Sequence, residues 1–555
     1  MLHVPVDWNQ RVVMRDGVEL SADVYHPRDN GRHTTVIART PYLKNNPEQQ
    51  LLAQIYADHG YNFVWMDVRG RGDSDGEFVP WVAEGIDGYD SIEWIAEQPW
   101  SDGRVVTWGA SYLGIVQWLT ALERPPHLSA MMVLVPPSDP WEDMPTGMHI
   151  PWEICWFRML DGRVQQHVEE VDWPAIFWHL PLYTMDEAAG FRSEHWRRNL
   201  ENPITDATYW DPVRYQAAMT SVDVPVLHVS GWYDDVQRGT TVNYTRMTAD
   251  PASEKIGASQ WLLMGPWDHR LTMVREQTLG RLDFGPGAEL DLRAFELEWL
   301  EEVLGDKPES SESARVRLFV MGKNEWRDEN EWPIARTRWT DYYLQSAGAA
   351  NTRLGDGRLE RDTQSGAGSA SDSFVYDPAD PVPFLSDHAS SMQIGGPDDY
   401  VTIEERDDVL VYTTELLDAE REVTGPVRAV IYASSSAHDT DFTAKLIDVH
   451  PDGFCQRVCD GMVRGRFRNG FGEPEQLLQP GEVVEYEIDM WSTSHVFSPG
   501  HRIRLEVSSS AFPKYDRNLN TGGPIATETE MVRASNEVWH DVARPSRLIL
   551  PEIPA

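Results

Sequence analysis

The sequence is poor in cysteine and has no long apolar run. Only Cys155, Cys455 and Cys459 occur in 555 residues, which excludes a disulfide framework and leaves no second cysteine pair for a zinc site. Cys455 and Cys459 fit either a redox pair or two small buried side chains of a β domain, and the second interpretation is favoured. No stretch reaches the ~20 apolar residues that span a bilayer, and residues 1–11 lack an export signal. We expect a soluble, cytoplasmic protein.

Positive charge is also scarce. The formal net charge is −41, which would repel nucleic-acid phosphates and anionic lipid surfaces. Nucleic acid and membranes are therefore not expected as partners, and a small-molecule substrate is. With 41% hydrophobic residues over this length, the chain has enough apolar material for two or three domains. The composition leaves open whether the chain forms a homo-oligomer.

The first part of the chain alternates short β-rich runs with helical patterns. Runs at residues 34–38, 61–66, 105–108 and 130–135 are separated by helical spacing at 86–96 and 114–122, and the runs resume at 226–229 and 261–264. This alternation is typical of a mainly parallel sheet with crossover helices. Polar clusters follow these runs, at the carboxyl ends of the predicted strands, where open α/β sheets place their active sites.

Two other stretches break the alternation. Residues 138–221 are rich in Trp and His with helix-like segments, which indicates an inserted helical cap. After a helix predicted at 292–304, the chain from about residue 336 consists of short alternating strands with turn signals, which is typical of a β-sandwich or jelly roll.

A serine stands at the apex of one predicted strand-to-helix turn. The run at 105–108 leads into Gly109-Ala110-Ser111-Tyr112-Leu113-Gly114, in which small residues flank a strained nucleophile elbow. The usual elbow has glycine two residues after the serine, whereas here glycine comes three residues after it, at Gly114. A serine at the start of a helix also has free N–H groups nearby that can receive a developing oxyanion.

Two further strand ends supply the partners that such a serine needs. Asp234 follows the run at 226–229, and His269 follows the run at 261–264. A histidine takes the proton of the serine and a carboxylate orients the histidine, and the chain order Ser, Asp, His is that of α/β-hydrolases. We therefore predict Ser111, Asp234 and His269 as a catalytic triad. Asp235 is an alternative orienting carboxylate, and Asp268 is interpreted as a turn residue.

The chain resembles the cocaine esterase and X-prolyl dipeptidyl peptidase family of α/β-hydrolases, which also contains α-amino-acid ester hydrolases and glutaryl acylases. The family elbow has the form Gly-x-Ser-Tyr-x-Gly, which accounts for the place of Gly114. The resemblance extends into the C-terminal half, and its motifs are residues 39–42, 67–70, 109–114, 231–234, 265–269, 440–442, 448–453 and 497–504.

The resemblance implies an α/β-hydrolase fold with an inserted helical cap and a C-terminal β jelly-roll domain. The predicted divisions are residues 1–137 and 222–335 for the hydrolase domain, 138–221 for the cap and 336–555 for the jelly roll. The resemblance also implies an oxyanion hole made by the phenolic O–H of Tyr42 and the backbone N–H of Tyr112. No cofactor and no metal are implied.

The predicted activity is hydrolysis of a carboxylic ester with an apolar or aromatic acyl group. Aromatic residues of the cap and of the Asp234 loop are candidates for the acyl pocket, although each is also a candidate for ordinary packing: Trp141, Trp152, Trp156, Trp232 and Tyr233. Amidase or acylase activity and X-prolyl dipeptidyl peptidase activity remain as alternatives with the same triad, as does an acyltransferase that excludes water.

Recognition of a free α-amine is not expected. α-Amino-acid ester hydrolases carry acidic residues just beyond the triad aspartate, whereas Val236 and Gln237 follow Asp235 here. Asp235 itself, or cap residues Glu142, Asp143 or Glu153, could supply the missing charge. A non-catalytic carbohydrate-binding protein built on the jelly roll is a further rival, and the three strand-end residues disfavour it. His450 and His501 are interpreted as structural residues.

Overall fold

The structure is a computed structural model that describes residues 4–139, 150–202, 204–270, 277–305, 314–363, 371–386, 395–470 and 473–554. Within these residues, twelve strands precede residue 330: β1 Val6–Val13, β2 Glu19–Tyr25, β3 His33–Thr40, β4 Asn62–Asp67, β5 Ser101–Ala110, β6 Leu128–Leu134, β7 Val226–Gly231, β8 Gln260–Gly265, β9 Thr278–Leu279, β10 Leu282–Asp283, β11 Val316–Val320 and β12 Glu325–Glu329. The described residues form eleven α-helices: α1 Pro47–Asp58, α2 Glu84–Ala96, α3 Tyr112–Leu122, α4 Ile150–Met159, α5 Trp173–Phe177, α6 Met185–Ala188, α7 Glu194–Glu201, α8 Ala207–Trp210, α9 Gln237–Ala249, α10 Glu254–Ala258 and α11 Leu292–Leu304.

Ten of these strands form one sheet in the order β1-β2-β4-β3-β5-β6-β7-β8-β11-β12. The strands from β4 to β11 in this order run parallel to their neighbours, while β1, β2 and β12 are antiparallel. The central strands are short and almost wholly buried, as expected for a sheet that is covered on both faces. The predicted α/β-hydrolase fold is therefore confirmed.

Helices cover both faces of this sheet. One buried cluster contains Tyr56 of α1 and Leu300 of α11, and the other contains Ile92 of α2, Trp118 of α3 and Met247 of α9. Each of these helices presents an apolar stripe to the strands, which is the usual way for crossover helices to bury their apolar face.

The edge of the sheet after α11 was not anticipated. Sequence analysis assigns the residues after the helix at 292–304, up to 335, to the hydrolase domain without predicting strands there, whereas β11 continues the parallel sheet beside β8 and forms a hairpin with β12. The hairpin escapes notice because its second strand, Glu325–Glu329, is almost entirely polar and so lacks the alternation by which strands are recognised.

Helices α4 to α8 lie between β6 and β7 and form the predicted cap. They enclose a small aromatic core of their own, which includes Phe157, Trp173, Phe177 and Trp196. Phe512 of the C-terminal part of the chain joins this core, so the cap is packed against the β domain as well as against the hydrolase domain. The exact limits of the cap, 138–221, stay a prediction.

The C-terminal part is a separate β-rich domain, as predicted. It contains β13 Arg338–Gln345, β14 Arg358–Glu360, β15 Ser371–Tyr376, β16 Leu410–Thr413, β17 Arg421–Ser435, β18 Asp441–Val449, β19 Cys455–Arg464, β20 Val484–Phe497, β21 Arg502–Ser508, β22 Ala534–Trp539 and β23 Arg547–Ile553. Side chains from all eleven strands meet in one buried cluster, so the sheet bends around a shared core. The jelly-roll topology and the boundary at residue 335 stay predictions.

The three cysteines are all buried and none forms a disulfide. Burial raises the pKa of the Cys455 and Cys459 thiols far above the ordinary value, which keeps them protonated and unreactive. They are buried side chains of the β domain, as favoured over a redox pair.

None of the helices formed by the described residues is both long enough and apolar enough to cross a bilayer. A cytoplasmic location stays a prediction.

Candidate active site

Ser111 occupies a strained turn between β5 and α3. Its backbone has φ 60° and ψ −121°, a conformation that a non-glycine residue adopts only where its surroundings enforce it. The two glycines that flank this turn are closely packed. A Cβ at Gly109 would lie 2.3 Å from the Cβ of Leu113, and a Cβ at Gly114 would lie 3.0 Å from the Cβ of Pro136. The second approach explains why glycine stands at position 114.

The structure brings the three predicted residues of the triad together. The Nε2 atom of His269 lies 3.0 Å from the Oγ atom of Ser111, and the Nδ1 atom of His269 lies 2.8 Å from the Oδ1 atom of Asp234. Each side chain comes from the carboxyl end of a parallel strand, β5, β7 or β8. Both distances lie within the hydrogen-bonding reach that proton transfer requires.

Asp234 is itself held in position by two donors. The hydroxyl of Ser230 donates to its Oδ2 atom at 2.6 Å, and the backbone N–H of Val236 donates to its Oδ1 atom at 3.1 Å. Asp234 is 1% exposed, so these bonds replace solvent for the buried carboxylate. Sequence analysis missed Ser230 because it is one of several small residues in a buried strand.

Asp235 points away from His269 and toward the β domain. Its Oδ1 atom lies 3.6 Å from the Nζ atom of Lys514, and its Oδ2 atom accepts a hydrogen bond from the backbone N–H of Gly395 at 3.0 Å. Burial raises the pKa of Asp235 to about 6. Asp234, and not Asp235, is therefore the carboxylate that contacts the imidazole of His269. Asp268 pairs with Arg270, in keeping with a turn residue.

Tyr42 follows β3, and its hydroxyl contacts Trp156 of the cap. The indole N–H of Trp156 donates to the hydroxyl oxygen of Tyr42 at 2.8 Å, which leaves the phenolic hydrogen free to point elsewhere. Burial raises the pKa of Tyr42 to about 12, so the phenol remains a donor at neutral pH.

Tyr112 is the first residue of α3, so its backbone N–H has no acceptor within the helix. Its side chain is anchored at a distance from that N–H: the hydroxyl donates to Oε1 of Glu84 at 2.8 Å and accepts from the backbone N–H of Trp81 at 3.1 Å. Glu84 is in turn paired with Arg39 at 2.5 Å. Sequence analysis missed Glu84 and Trp81, which carry no local motif.

The aromatic candidates divide into three groups. Trp152 lies edge-on to the imidazole of His269 with ring centroids 4.5 Å apart, and Trp156 stacks on Trp81 at 5.7 Å. Trp232 and Tyr233 instead pack in a buried cluster away from the cap: the Trp232 indole donates to the carbonyl of Phe319, and the Tyr233 hydroxyl accepts from Gln456. Trp141, with Glu142 and Asp143, lies outside the described residues.

Asp67 ends β4, and its acidic neighbours Asp73 and Asp75 lie in the loop that follows, which contains several ion pairs. Lys44 approaches Asp73 at 3.1 Å and Asp67 at 3.9 Å, while Asp75 pairs with Arg11 at 2.5 Å. These contacts support the ion-paired loop.

Comparisons with known proteins agree with this architecture. Residues 16–270 match the X-Pro dipeptidyl-peptidase (S15) family, and residues 310–549 match the X-Pro dipeptidyl-peptidase C-terminal non-catalytic domain. The cocaine esterase of Rhodococcus sp. (strain MB1 Bresler) is 36% identical over 589 aligned positions, which cover 98% of each chain.

Solved structures resemble the whole chain. The aminopeptidase from a marine sediment archaeon, Thaumarchaeota archaeon, superposes with a TM-score of 0.87 at 27% identity, covering 99% of this chain and 97% of that one. An α-amino acid ester hydrolase superposes with a TM-score of 0.86 at 24% identity, covering 99% of this chain and 96% of that one; at that identity the likeness concerns the fold alone. The chain thus belongs to the cocaine esterase and X-prolyl dipeptidyl peptidase family and is a serine hydrolase of ester or amide bonds.

Proposed function

We propose that the chain is a carboxylesterase that works through an acyl-enzyme on Ser111. The observation that carries this proposal is the 3.0 Å distance between the Ser111 hydroxyl and Nε2 of His269, with the other imidazole nitrogen held by Asp234. This arrangement lets a neutral imidazole take the serine proton while the carboxylate stabilises the imidazolium that results.

In the proposed cycle, the Oγ atom of Ser111 attacks the ester carbonyl as its proton passes to Nε2 of His269. The imidazolium then gives that proton to the leaving alkoxide, and the acyl group remains on the serine. Water attacks the acyl-enzyme as the same imidazole takes its proton, and the imidazolium returns this proton to the Oγ atom of Ser111 as the acid leaves.

The negative charge of each tetrahedral intermediate needs donors that are already in place. The hydroxyl of Tyr42 and the backbone N–H of Tyr112 are proposed for this role. Two observations support them. Trp156 donates a hydrogen bond to the hydroxyl oxygen of Tyr42, which leaves the phenolic hydrogen free to donate. The backbone N–H of Tyr112 belongs to the first residue of a helix and has no acceptor within that helix.

An apolar or aromatic acyl group is proposed, with Trp152 and Trp156 at its side. Trp152 touches the catalytic imidazole, and Trp156 touches the proposed oxyanion donor Tyr42, so the two indoles flank the position of the scissile carbonyl. Trp232 and Tyr233 have no part in this proposal because their polar atoms are bonded within another buried cluster. The pairing of Asp235 with Lys514 disfavours a substrate whose free α-amine would need that carboxylate.

Labelling with a fluorophosphonate probe tests the nucleophile. We expect a single labelled peptide containing Ser111, no labelling in Ser111→Ala, and full labelling in the control Ser129→Ala, which alters a serine near the protein surface. Labelling at another residue, or none in the wild type, would refute the assignment of Ser111.

A substrate panel tests the acyl group and the bond. Aryl-acyl esters should be cleaved with higher kcat/KM than acetyl esters of the same alcohol and than the matching anilides. Trp152→Ala should lower the aryl preference. A preference for anilides or X-prolyl amides would favour the amidase or peptidase alternatives, and transfer of the acyl group to added alcohol at the expense of hydrolysis would favour the acyltransferase.

A further inference from the structure

Three imidazoles converge on one buried carboxylate at an end of the β domain. Asp448 lies near the end of β18, His450 follows that strand, His495 lies in β20 and His501 precedes β21. Strand β18 pairs with β21 so that Val449 faces Arg502, which brings residues more than forty positions apart to the same place. These four residues are called the Asp448 cluster.

The carboxylate has three imidazole neighbours and binds two of them directly. Its Oδ1 atom lies 2.8 Å from Nδ1 of His501, and its Oδ2 atom lies 2.9 Å from Nε2 of His495. His450 remains at 3.7 Å from Oδ2, and its ring centroid lies 4.4 Å from that of His501. Two imidazoles therefore stand side by side at one carboxylate, and Nε2 of His450 lies 2.9 Å from Oε1 of Gln456 and does not hydrogen-bond to the carboxylate.

We propose that Asp448, His450 and His501 bind a divalent transition metal ion of the zinc type. Their donor atoms all lie within 4.8 Å of one another, and two imidazoles with one carboxylate form a donor set that zinc favours. Tetrahedral ligands at about 2.0–2.1 Å from zinc are about 3.3 Å apart. Nδ1 of His501 lies 2.8 Å from Oδ1 of Asp448, and Nε2 of His450 lies 3.7 Å from Oδ2, so modest side-chain shifts would let the three residues bind one ion.

The surroundings favour a cation. Asp448 is 1% exposed, whereas His450 and His501 are 24% and 15% exposed, so an ion and a water ligand can reach the cluster from solvent. His495 orients the carboxylate from behind, as outer-shell partners of metal ligands do.

The metal would join two turns of the β domain. His450 belongs to the turn between β18 and β19, and His501 belongs to the turn between β20 and β21. Because an ion that binds the folded chain stabilises it, metal binding should raise the thermal unfolding midpoint. This role is independent of the esterase proposal and makes no use of Ser111 chemistry.

The test is a titration of the chelator-treated full chain with Zn²⁺ by calorimetry and with Co²⁺ by visible absorption. We expect one ion per chain, with affinity reduced about 100-fold or more in His450→Ala. The matched control is His127→Ala. It removes an imidazole that pairs with a single carboxylate, that of Glu93, at 2.8 Å. The affinity for the metal ion and the number of ions bound per chain should stay unchanged.

His501→Ala also removes a hydrogen bond from Asp448, so His450→Ala and the milder His450→Gln come first, with circular dichroism to verify folding. Zn²⁺ should raise the thermal midpoint of the wild type and of His127→Ala but not of the two His450 variants. Failure of the wild type to bind one ion, or equally tight binding by folded His450→Ala, would overturn the proposal.

Discussion

Replacing Tyr42 by phenylalanine removes one hydroxyl and leaves the ring in the core. If this hydroxyl donates to the oxyanion, the loss resembles the removal of one oxyanion-hole donor, which lowers kcat about 100-fold to 1000-fold. Because the backbone N–H of Tyr112 remains, we expect the lower figure, about 100-fold, or about 2.7 kcal/mol of transition-state stabilisation. KM should change little, since the donor acts mainly on charge that develops after binding.

Trp156 offers a way to show that the effect passes through this hydroxyl. Its indole N–H donates to the Tyr42 oxygen at 2.8 Å, so Trp156→Phe removes one neutral hydrogen bond while keeping an aromatic ring beside Trp81. Such a bond is worth about 1 kcal/mol, which predicts a decrease in kcat of about fivefold. Without the Tyr42 hydroxyl the indole has no acceptor there, so Trp156→Phe should have no further effect in Tyr42→Phe.

The assay is the steady-state hydrolysis of a p-nitrophenyl aryl ester by the wild type, the two single variants and the double variant. Thermal midpoints of all four proteins control for changes in folding. Additive effects of the two substitutions on kcat would show that Trp156 acts on the acyl group and not through Tyr42. An unchanged kcat in folded Tyr42→Phe would refute the assignment of Tyr42 to the oxyanion hole.

Three more substitutions test the support of the site and of the fold. Ser230→Ala removes a 2.6 Å hydrogen bond to the Asp234 carboxylate and should lower kcat about tenfold, with KM unchanged in the same ester assay; an unchanged kcat would show that Val236 suffices. Burial lowers the pKa of His228 from 6.5 to about 4, so its contribution to stability is present above about pH 6.5 and is lost as pH falls toward 4. The free energy of unfolding, measured with urea at several pH values, should fall more steeply with decreasing pH in the wild type than in His228→Gln, by about 1.4 kcal/mol per pH unit in that window. The same pH dependence in both proteins would contradict this. Lys514→Met leaves two buried carboxylates, Asp235 and Asp460, without their shared cation and should cost about 3 kcal/mol of stability; a loss below about 1 kcal/mol would show that the pairing is weak.

The residues that sequence analysis could predict are those with a local pattern. Ser111, Asp234 and His269 each follow a short buried strand, and a parallel sheet places such strand ends at one edge. The elbow around Ser111 is recognisable because steric contact at Gly109 and Gly114 restricts the residues allowed there. The strands and helices of this domain are also predictable, because each leaves a local pattern in the sequence.

Contacts made between distant segments carry no such pattern. Trp156 reaches Tyr42 across 114 positions, and nothing near either residue indicates the other. Trp232 and Tyr233 are next to Asp234 in the sequence, which is why they are candidates for the pocket. In the structure, their side chains point in another direction and pack in a buried cluster. Proximity in sequence to a catalytic residue is therefore a weak guide to the pocket, because neighbouring side chains of a tight loop diverge.

This divergence gives the β domain a part in positioning the site. Asp234 turns toward His269, while Asp235 turns toward Lys514 of the β domain. Two positions later, Gln237 exchanges two hydrogen bonds with the backbone of Ser492 in β20, at 2.8 Å and 3.0 Å. The loop that carries Asp234 is thus fixed by the hydrolase domain on one side and by the β domain on the other.

The consequence is that the β domain can influence catalysis without touching the reacting atoms. A displacement of β20 or of Lys514 would move the loop of Asp234, and the imidazole it orients would lose alignment with Ser111. An orienting carboxylate that is misplaced by about 1 Å can cost about 100-fold in rate.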